Sequence, residues 1–181
     1  MDVIPTGIQG LLHLRPKVFA DARGQFMETF NAEELARRAG IGVRFVQDNE
    51  SRSKAGVLRG LHLQAPPHAQ AKLVRVVRGA VLDVCVDVRE GSPTFGHHFS
   101  LRLDDRTHDM LFIPAGMAHG FLALEEDTVF AYKCSAYYTP SAERTILWND
   151  PDLGINWGIA DPLVSDKDKA GSLLRDKNWE R

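Results

Sequence analysis

Residues 73–88, LVRVVRGAVLDVCVDV, decide the fold class of this chain. In the second half of this stretch apolar and polar residues alternate, which predicts a half-buried β-strand with an apolar face formed by Leu82, Val84, Val86 and Val88. Asp83 and Asp87 fall on its opposite face. Residues 73–77 form a second apolar run, and the Arg78-Gly79 pair between the two runs predicts a hairpin turn.

Short strands are also predicted on the C-terminal side of this stretch, over residues 99–103, 110–113 and 128–138. One segment carries helical signals, with Asn31 as the N-cap, Glu34 as its capping-box partner and Gly40 as the residue that ends the helix. No alternation of strands with long helices is present. The sequence therefore predicts an all-β protein, a sandwich or jelly roll with a few short flanking helices, forming a single domain over residues 1–181.

The composition excludes several classes of function. The chain has 22 Lys and Arg against 24 Asp and Glu, a net charge of −2, and these charges are interleaved along its length. A nucleic-acid-binding protein would need a basic face. No apolar stretch is long enough for a membrane helix, and Asp2 and Pro5 do not suit a signal peptide, so we expect a cytoplasmic protein. Cys85 and Cys134 lie in apolar runs and are expected to be buried thiols.

Two segments resemble the paired motifs of the cupin jelly-roll barrels. In the first, residues 56–79, Gln64 stands where cupins have their second metal-binding histidine, and Lys72 stands about where they have a glutamate. The second segment, residues 114–119, keeps the cupin pattern as far as His119 but lacks the asparagine that follows. The resemblance implies a cupin-type barrel whose metal ligands have largely been replaced.

The replaced ligands bear on the chemistry of the predicted site. His62 and His119 alone would give a metal ion two ligands, and the Lys72 ammonium would repel it, so no metal is predicted. A buried lysine still offers positive charge where negative charge develops during a reaction. Metal ions and oxyanion holes do the same for enolates.

A longer set of motifs resembles the dTDP-4-dehydrorhamnose 3,5-epimerase family. These motifs run in the family's order from about residue 19 to residue 168. They comprise Phe19, Asp21, Arg23-Gly24, Phe26, Glu28 and Phe30, then Gln47, Asn49 and Ser51, then GVLRGLHLQ at 56–64, SPTFG at 92–96, IPAGMAHGF at 113–121, WNDP at 148–151, INW at 155–157 and SDKD at 165–168.

The resemblance implies a substrate and four catalytic roles. The substrate would be a 4-keto-6-deoxyhexose linked to dTDP, with protons next to the C4 ketone removed and then returned on the opposite face. His62 resembles the base, Asp168 the carboxylate that orients it, Lys72 the cation that stabilises the enolate, and Tyr132 the acid. Tyr137 and Tyr138 compete with Tyr132, which is selected by its place in the motif. No cofactor is expected, because the ketone already activates the neighbouring protons.

The same resemblance suggests how the nucleotide is held. Guanidinium groups suit a diphosphate, aromatic rings suit thymine, and polar side chains offer hydrogen bonds. The expected contacts are Arg23 and Arg59 for the diphosphate, Phe26 and Tyr138 for the base, and Glu28, Gln47 and Asn49 for hydrogen bonds. His119 is expected either to line the pocket or to pack in the core. In the family, residues around 23–28 reach the neighbouring subunit, which implies a homodimer.

Three other functions remain open from the sequence. A related epimerase could invert only C3 or only C5 of a nucleotide ketosugar, with the same four residues. A metal-dependent cupin enzyme is a different class of protein. A non-catalytic barrel that binds sugar nucleotides is disfavoured, because a base, an acid and a cation are all present.

Overall fold

The computed structural model describes residues 1–176 and consists mainly of short β-strands. In chain order these strands are β1 Asp2–Pro5, β2 Leu12–Arg15, β3 Val18–Asp21, β4 Gly24–Met27, β5 Gln47–Ser53, β6 Val57–Gln64, β7 Lys72–Arg78, β8 Ala80–Asp87, β9 His98–Asp104, β10 Met110–Ile113, β11 Met117–Ala123, β12 Thr128–Cys134, β13 Glu143–Thr145 and β14 Leu163–Val164. The helices are α1, Ala32–Ala39, and α2, Asp166–Lys169, with single 3₁₀ turns at Pro140–Ala142 and Leu174–Asp176.

Two sheets make up the body of the protein. The first has the strand order β1-β2-β10-β7-β12-β5, and the second has the order β13-β6-β11-β8-β9, with β14 added in parallel beside β6. β3 and β4 pair only with each other and form a separate hairpin. This architecture confirms the predicted all-β, jelly-roll class. Among residues 1–176, no helix combines the length and the apolar character needed to span a membrane.

Three apolar clusters hold the sheets in place. The central cluster lies between them and joins Val74, Val76 and Phe130 of the first sheet to Val81, Leu103 and Phe121 of the second. A second cluster covers the outer face of the second sheet with the C-terminal segment, through Ile146, Leu153, Trp157 and Leu174. The third packs α1 and residue 41 against the outer face of the first sheet. Both sheets are therefore buried on both faces over much of their area.

The predicted hairpin at Arg78-Gly79 is wrong. β7 pairs with β10 and β12 in the first sheet, whereas β8 pairs with β9 and β11 in the second, so the chain changes sheets at this point. Gly79 has φ +81°, and a Cβ atom there would lie 2.6 Å from the Thr128 hydroxyl oxygen. Gly79 is therefore a turn residue, as predicted, but the turn lies where the chain crosses from the first sheet to the second.

The half-buried character predicted for β8 is also wrong. Asp83 and Asp87 are both fully buried, because they lie with Val81 and Cys85 on the face of β8 that points between the sheets, while the C-terminal segment covers the opposite, apolar face. Each carboxylate has polar partners inside the protein. Asp87 accepts hydrogen bonds from the Arg89 guanidinium and from the hydroxyls of Ser92 and Thr94. Asp83 contacts His119 in the interior, described below.

The other local predictions are largely confirmed. The Asn31 side chain accepts a hydrogen bond from the Glu34 amide, and Gly40 ends α1 in the left-handed conformation. The Glu34 carboxylate, however, binds Arg37 and Arg38 instead of completing the capping box. The strand predicted over residues 128–138 ends at Cys134, so it is shorter than expected. Both cysteines are free and buried, as expected.

A close approach between β6 and β11 fixes the strand that carries His62. Gly60 lies so near β11 that a Cβ atom on it would be 2.5 Å from the Gly120 Cα, and its φ is +132°. Gly120 has a matching constraint, because a Cβ atom there would be 2.7 Å from the Arg59 carbonyl oxygen. The two glycines therefore let the strands meet with no side chain between them.

We expect Gly60→Ala to destabilise the fold by about 2 kcal/mol or more, because it adds both backbone strain and a clash with backbone atoms. Thermal unfolding followed by circular dichroism measures the effect. Gly42→Ala is the matched control, since no atom lies within 4 Å of a Cβ at that position. Equal melting temperatures for the two variants would contradict the assigned close approach.

Candidate active site

A cleft of about 340 Å³ opens between the two sheets, close to the volume of small-molecule sites in proteins. A neighbouring hollow of about 310 Å³ continues it and shares His62, Lys72, Tyr132 and Glu143 with it. All four residues predicted to be catalytic line the first hollow. The fold therefore brings together side chains that are far apart in the sequence.

His62 and Asp168 form one wall of the cleft. His62 Nε2 lies 2.6 Å from Asp168 Oδ1, and the Gly60 amide donates to Asp168 Oδ2 at 3.3 Å. The carboxylate is almost fully buried, with 3 % of its side chain exposed against 26 % for the imidazole. Burial raises the pKa of Asp168, but the hydrogen bond and charge of His62 outweigh it, so the pKa is lowered overall.

The position of Asp168 follows from local helix chemistry. The Ser165 hydroxyl caps α2 by accepting a hydrogen bond from the Asp168 amide at 3.2 Å. This cap starts the short helix beside β6, and Asp168 then faces His62. With Nε2 turned toward the carboxylate, Nδ1 is the ring nitrogen left for a ligand. The wall can therefore present an oriented base to the cleft.

Lys72 and Tyr132 come from the first sheet, on the other side of the cleft. Lys72 on β7 is paired with Cys134 of β12, two residues after Tyr132, so both side chains project from the same face. Burial lowers the pKa of Lys72 and raises that of Tyr132. The phenol therefore keeps its proton at neutral pH and can donate it. In the described part of the chain, no protein group hydrogen-bonds to either side chain.

His119 lies on the floor of the cleft and is held from behind. Its Nε2 is 2.8 Å from Asp83 Oδ2, and its ring stacks on Phe130 with centroids 6.0 Å apart. The Cys85 thiol donates to Asp83 Oδ1 at 3.7 Å. The sequence left open whether His119 lines the pocket or packs in the core. It does both, since it is buried and also lines the cleft. The Asp83 contact was missed because its strand seemed to have a solvent-facing side.

One group of three metal-ligating side chains occurs among residues 1–176. The donor atoms of Asp83, Cys85 and His119 lie within 4.8 Å of one another. The carboxylate already binds both the imidazole and the thiol. Burial, with a smaller contribution from the charge of Lys72, lowers the pKa of His119. A cation would have to displace these hydrogen bonds beside an ammonium group. The arrangement suits a hydrogen-bonded cluster better than a metal centre.

The residues predicted to hold the nucleotide divide into two groups. Gln47, Asn49 and Tyr138 line the second hollow, and Arg59 lines the first. The Gln47 amide donates to Asn49 Oδ1 at 3.0 Å and accepts from the Tyr138 backbone amide at 2.8 Å. These four residues are therefore brought to the cleft, as expected.

Arg23, Phe26 and Glu28 are not brought to the cleft of their own chain. Arg23 lies in the turn of the β3–β4 hairpin, pairs with Asp21 and has 90 % of its side chain exposed. Phe26 is 66 % exposed, and Glu28 accepts a hydrogen bond from Asn31 beside α1. None of the three lines either hollow of its own chain, so their contacts with the nucleotide, expected in the neighbouring subunit, stay a prediction.

Two polar residues of the cleft were missed by the sequence analysis. Glu143 on β13 accepts hydrogen bonds from Lys167 at 2.7 Å and from the Tyr138 hydroxyl at 2.9 Å. Lys167 lies inside the SDKD motif, so its neighbour Asp168 could have pointed to it. Glu143 lies in no recognised motif, and only the pairing of β13 with β6 brings it to the cleft.

Comparison with known proteins gives concordant matches. The family model for dTDP-4-dehydrorhamnose 3,5-epimerase matches residues 5–176. The dTDP-4-dehydrorhamnose 3,5-epimerase of Shigella flexneri is 48% identical over 179 residues, covering 99% of each chain.

Solved structures agree. The enzyme of the same name from Elizabethkingia anophelis has a TM-score of 0.93 and 42% identity, covering 98% of both chains. The dTDP-6-deoxy-D-glucose-3,5-epimerase of Legionella pneumophila, in complex with dTDP-4-keto-L-rhamnose, has a TM-score of 0.92 and 46% identity, covering 96% of this chain and 93% of that one.

Proposed function

This chain belongs to the dTDP-4-dehydrorhamnose 3,5-epimerase family, and we propose that it inverts C3 and C5 of a dTDP-linked 4-keto-6-deoxyhexose in the biosynthesis of dTDP-rhamnose. The observation that carries this proposal is the arrangement of the cleft. It holds an imidazole oriented by a carboxylate on one sheet, and an ammonium and a phenol on the other. Inversion beside a ketone needs a base on one face of the sugar and an acid on the opposite face.

The first step is removal of a proton next to the C4 ketone. His62 takes this proton through the ring nitrogen that does not face Asp168. The 2.6 Å contact with Asp168 fixes the orientation of the ring and stabilises the imidazolium that forms. Lys72 faces the C4 oxygen, where the negative charge of the enolate develops, and supplies the electrostatic stabilisation that the reaction needs.

The second step returns a proton on the other face. Tyr132 suits this role because it lies on the sheet opposite His62 and because burial keeps its phenol protonated. The proton that His62 holds then passes to solvent, and the phenolate regains a proton, so the enzyme is restored. The same residues serve C3 and C5 if the sugar ring turns between the two inversions.

The exposed β3–β4 hairpin supports a homodimer. Arg23 and Phe26 have the chemistry for a diphosphate and a thymine ring, yet they project away from the cleft of their own chain. In a two-fold dimer, each hairpin could complete the site of the other chain. A cytoplasmic location remains a prediction from the sequence.

The reaction is followed by solvent deuterium incorporation into dTDP-4-keto-6-deoxyglucose, read by NMR at each carbon. We expect deuterium at C3 and C5 with the native protein, and a loss of about 10² to 10⁴ in both rates for His62→Ala, because a general base contributes that much. Asp168→Asn is milder, since the imidazole remains.

Both variants should bind dTDP as the native protein does, which is the control for folding. More than about a tenth of native exchange in His62→Ala would show that His62 is not the base. Incorporation at a single carbon in the native protein would identify a monofunctional epimerase. No incorporation with intact dTDP binding would point to the non-catalytic barrel.

Tyr132→Phe separates proton removal from proton return. We expect deuterium to keep entering the sugar with retained configuration while inverted product becomes scarce, because the hydroxyl acts only after the enolate forms. NMR of the sugar ring protons distinguishes the two products. Tyr138→Phe is the matched control, since its hydroxyl binds Glu143 at the edge of the cleft. Parallel loss of exchange and inversion would assign Tyr132 a structural role instead.

Mixing two inactive variants tests the shared site. His62→Ala damages the cleft and Arg23→Ala damages the hairpin, so a hybrid dimer has one site with both defects and one intact site. After unfolding and refolding together, random pairing should restore about a quarter of the native rate. The same variants refolded separately are the control. No recovery in a mixture shown to contain hybrid dimers would mean that each hairpin serves its own chain or none.

A further inference from the structure

Gln64 is a buried side chain for which the proposed reaction has no role. It is 6 % exposed and lies on β6, two residues after His62, at the position where metal-binding cupins have a histidine. Its amide makes three hydrogen bonds to backbone groups. Nε2 donates to the carbonyl oxygens of His68 at 2.7 Å and Tyr137 at 3.2 Å, and Oε1 accepts from the Thr139 amide at 2.7 Å. Both ends of the amide are therefore engaged, which fixes its orientation.

These bonds join two connecting segments beside the second hollow. His68 belongs to the loop between β6 and β7, and residues 135–139 lead from β12 of the first sheet toward β13 of the second. Gln64 lies in the second sheet and lines the hollow itself. Its side chain therefore ties the segment that leaves one sheet to a strand of the other.

Two more glutamines hold residues 135–139, which lie outside the helices and strands. Gln70 Nε2 donates to the Ala136 carbonyl oxygen at 2.7 Å, and Gln47 Oε1 accepts from the Tyr138 amide at 2.8 Å. Together the three glutamines bind a backbone group of each residue from Ala136 to Thr139. Side chains here do what strand pairing does elsewhere, so the segment follows one defined path.

The segment presents the ring of Tyr138 to the second hollow. The ring lines this hollow, and its hydroxyl donates to Glu143 Oε2 at 2.9 Å. The residue is nevertheless 52 % exposed, so much of its surface is free to pack against a ligand. An aromatic ring that is already held in place loses little entropy when a planar base stacks on it.

We propose that Gln64 is a positioning residue for nucleotide binding, because it holds residues 137–139 so that the Tyr138 ring can stack on the thymine of dTDP. It acts through Tyr138 and takes no part in proton transfer. The inference rests on the proposed function, whose substrate carries the thymine ring, and on the expected contact of Tyr138 with that ring. Without Gln64 the segment would have to be ordered when the nucleotide binds, and affinity would fall.

The first readout is the affinity for dTDP, measured by isothermal titration calorimetry. Tyr138→Ala should weaken binding about tenfold, because it removes the stacking of an aromatic ring on a base. Gln64→Met keeps the approximate size of the side chain, removes its three hydrogen bonds, and should weaken binding about fivefold. In the double variant the two losses should not multiply. Once Tyr138 is gone, Gln64→Met should change the affinity by less than about twofold.

Kinetics separate nucleotide positioning from damage to the catalytic groups. Gln64 lies two residues from His62, so a general disturbance of β6 would reach the base. If Gln64 acts on nucleotide binding alone, Gln64→Met raises KM, while kcat and deuterium exchange at saturating substrate stay within about twofold of the native values. A disturbed strand would lower kcat instead.

Thr128→Val is the matched control. Thr128 is 0 % exposed, lies at the other end of β12, and donates its hydroxyl to the Glu125 carbonyl oxygen at 2.7 Å. It lines neither hollow. The variant keeps the shape of the side chain but removes a buried hydrogen bond to the backbone, so thermal unfolding reports the general loss of stability. Its affinity for dTDP should stay at the native value.

Gln70→Met tests the same segment without altering β6, so it serves if Gln64→Met does not fold. It removes the hydrogen bond to Ala136, and it should weaken dTDP binding when Tyr138 is present but not in Tyr138→Ala. Native affinity in Gln70→Met would then overturn the proposal.

The proposal is also overturned if Gln64→Met binds dTDP as the native protein does, or if it weakens binding by the same factor with and without Tyr138. A fall in kcat as large as the fall in kcat/KM would likewise overturn it. Failure of the proposed function gives a different result. The native protein would then show no deuterium exchange, while dTDP binding could still depend on Gln64 through Tyr138.

Discussion

The hydrogen bond between His62 and Asp168 is the contact on which the cleft depends. It joins residues 106 positions apart and holds the C-terminal segment against the second sheet. The apolar cluster beneath that segment, with Trp157 and Leu174, packs it over the outer face of the same sheet. The segment therefore has two roles: it buries one face of the sheet, and it places a carboxylate beside an imidazole on the other side.

The two sheets contribute different chemistry to the cleft. The second sheet supplies the paired imidazole and the floor formed by His119 and Asp83, and the first supplies Lys72 and Tyr132. A ligand between the sheets can therefore meet a base on one side and an acid on the other. Such an arrangement requires both sheets to be held rigidly, and burial on both faces provides that rigidity.

Sequence reasoning predicted the class of fold and the residues of the cleft, but it erred where tertiary structure overrides local pattern. Strand alternation correctly located β8, yet the side assigned to solvent is covered, so Asp83 was not recognised as part of the site. Gly79 was correctly identified as a turn residue, but whether adjacent strands pair depends on distant partners. Glu143 could not be found because strand pairing alone brings it to the cleft. His62, Lys72, Tyr132 and Asp168 were found because motifs surround them.

The crossing at Gly79 also has a consequence for the order of folding. It places Lys72 and Asp83 in opposite sheets while keeping them close in the sequence, so little chain entropy is lost when the two strands come to the cleft. The His62–Asp168 contact closes a far longer loop, with a separation of 106 residues. Because closing a longer loop costs more chain entropy, we expect this contact to form after those within the shorter loop. In a refolding chain, Lys72 and Asp83 should therefore reach the cleft before Asp168 orients His62. Catalytic activity should be the last property to return.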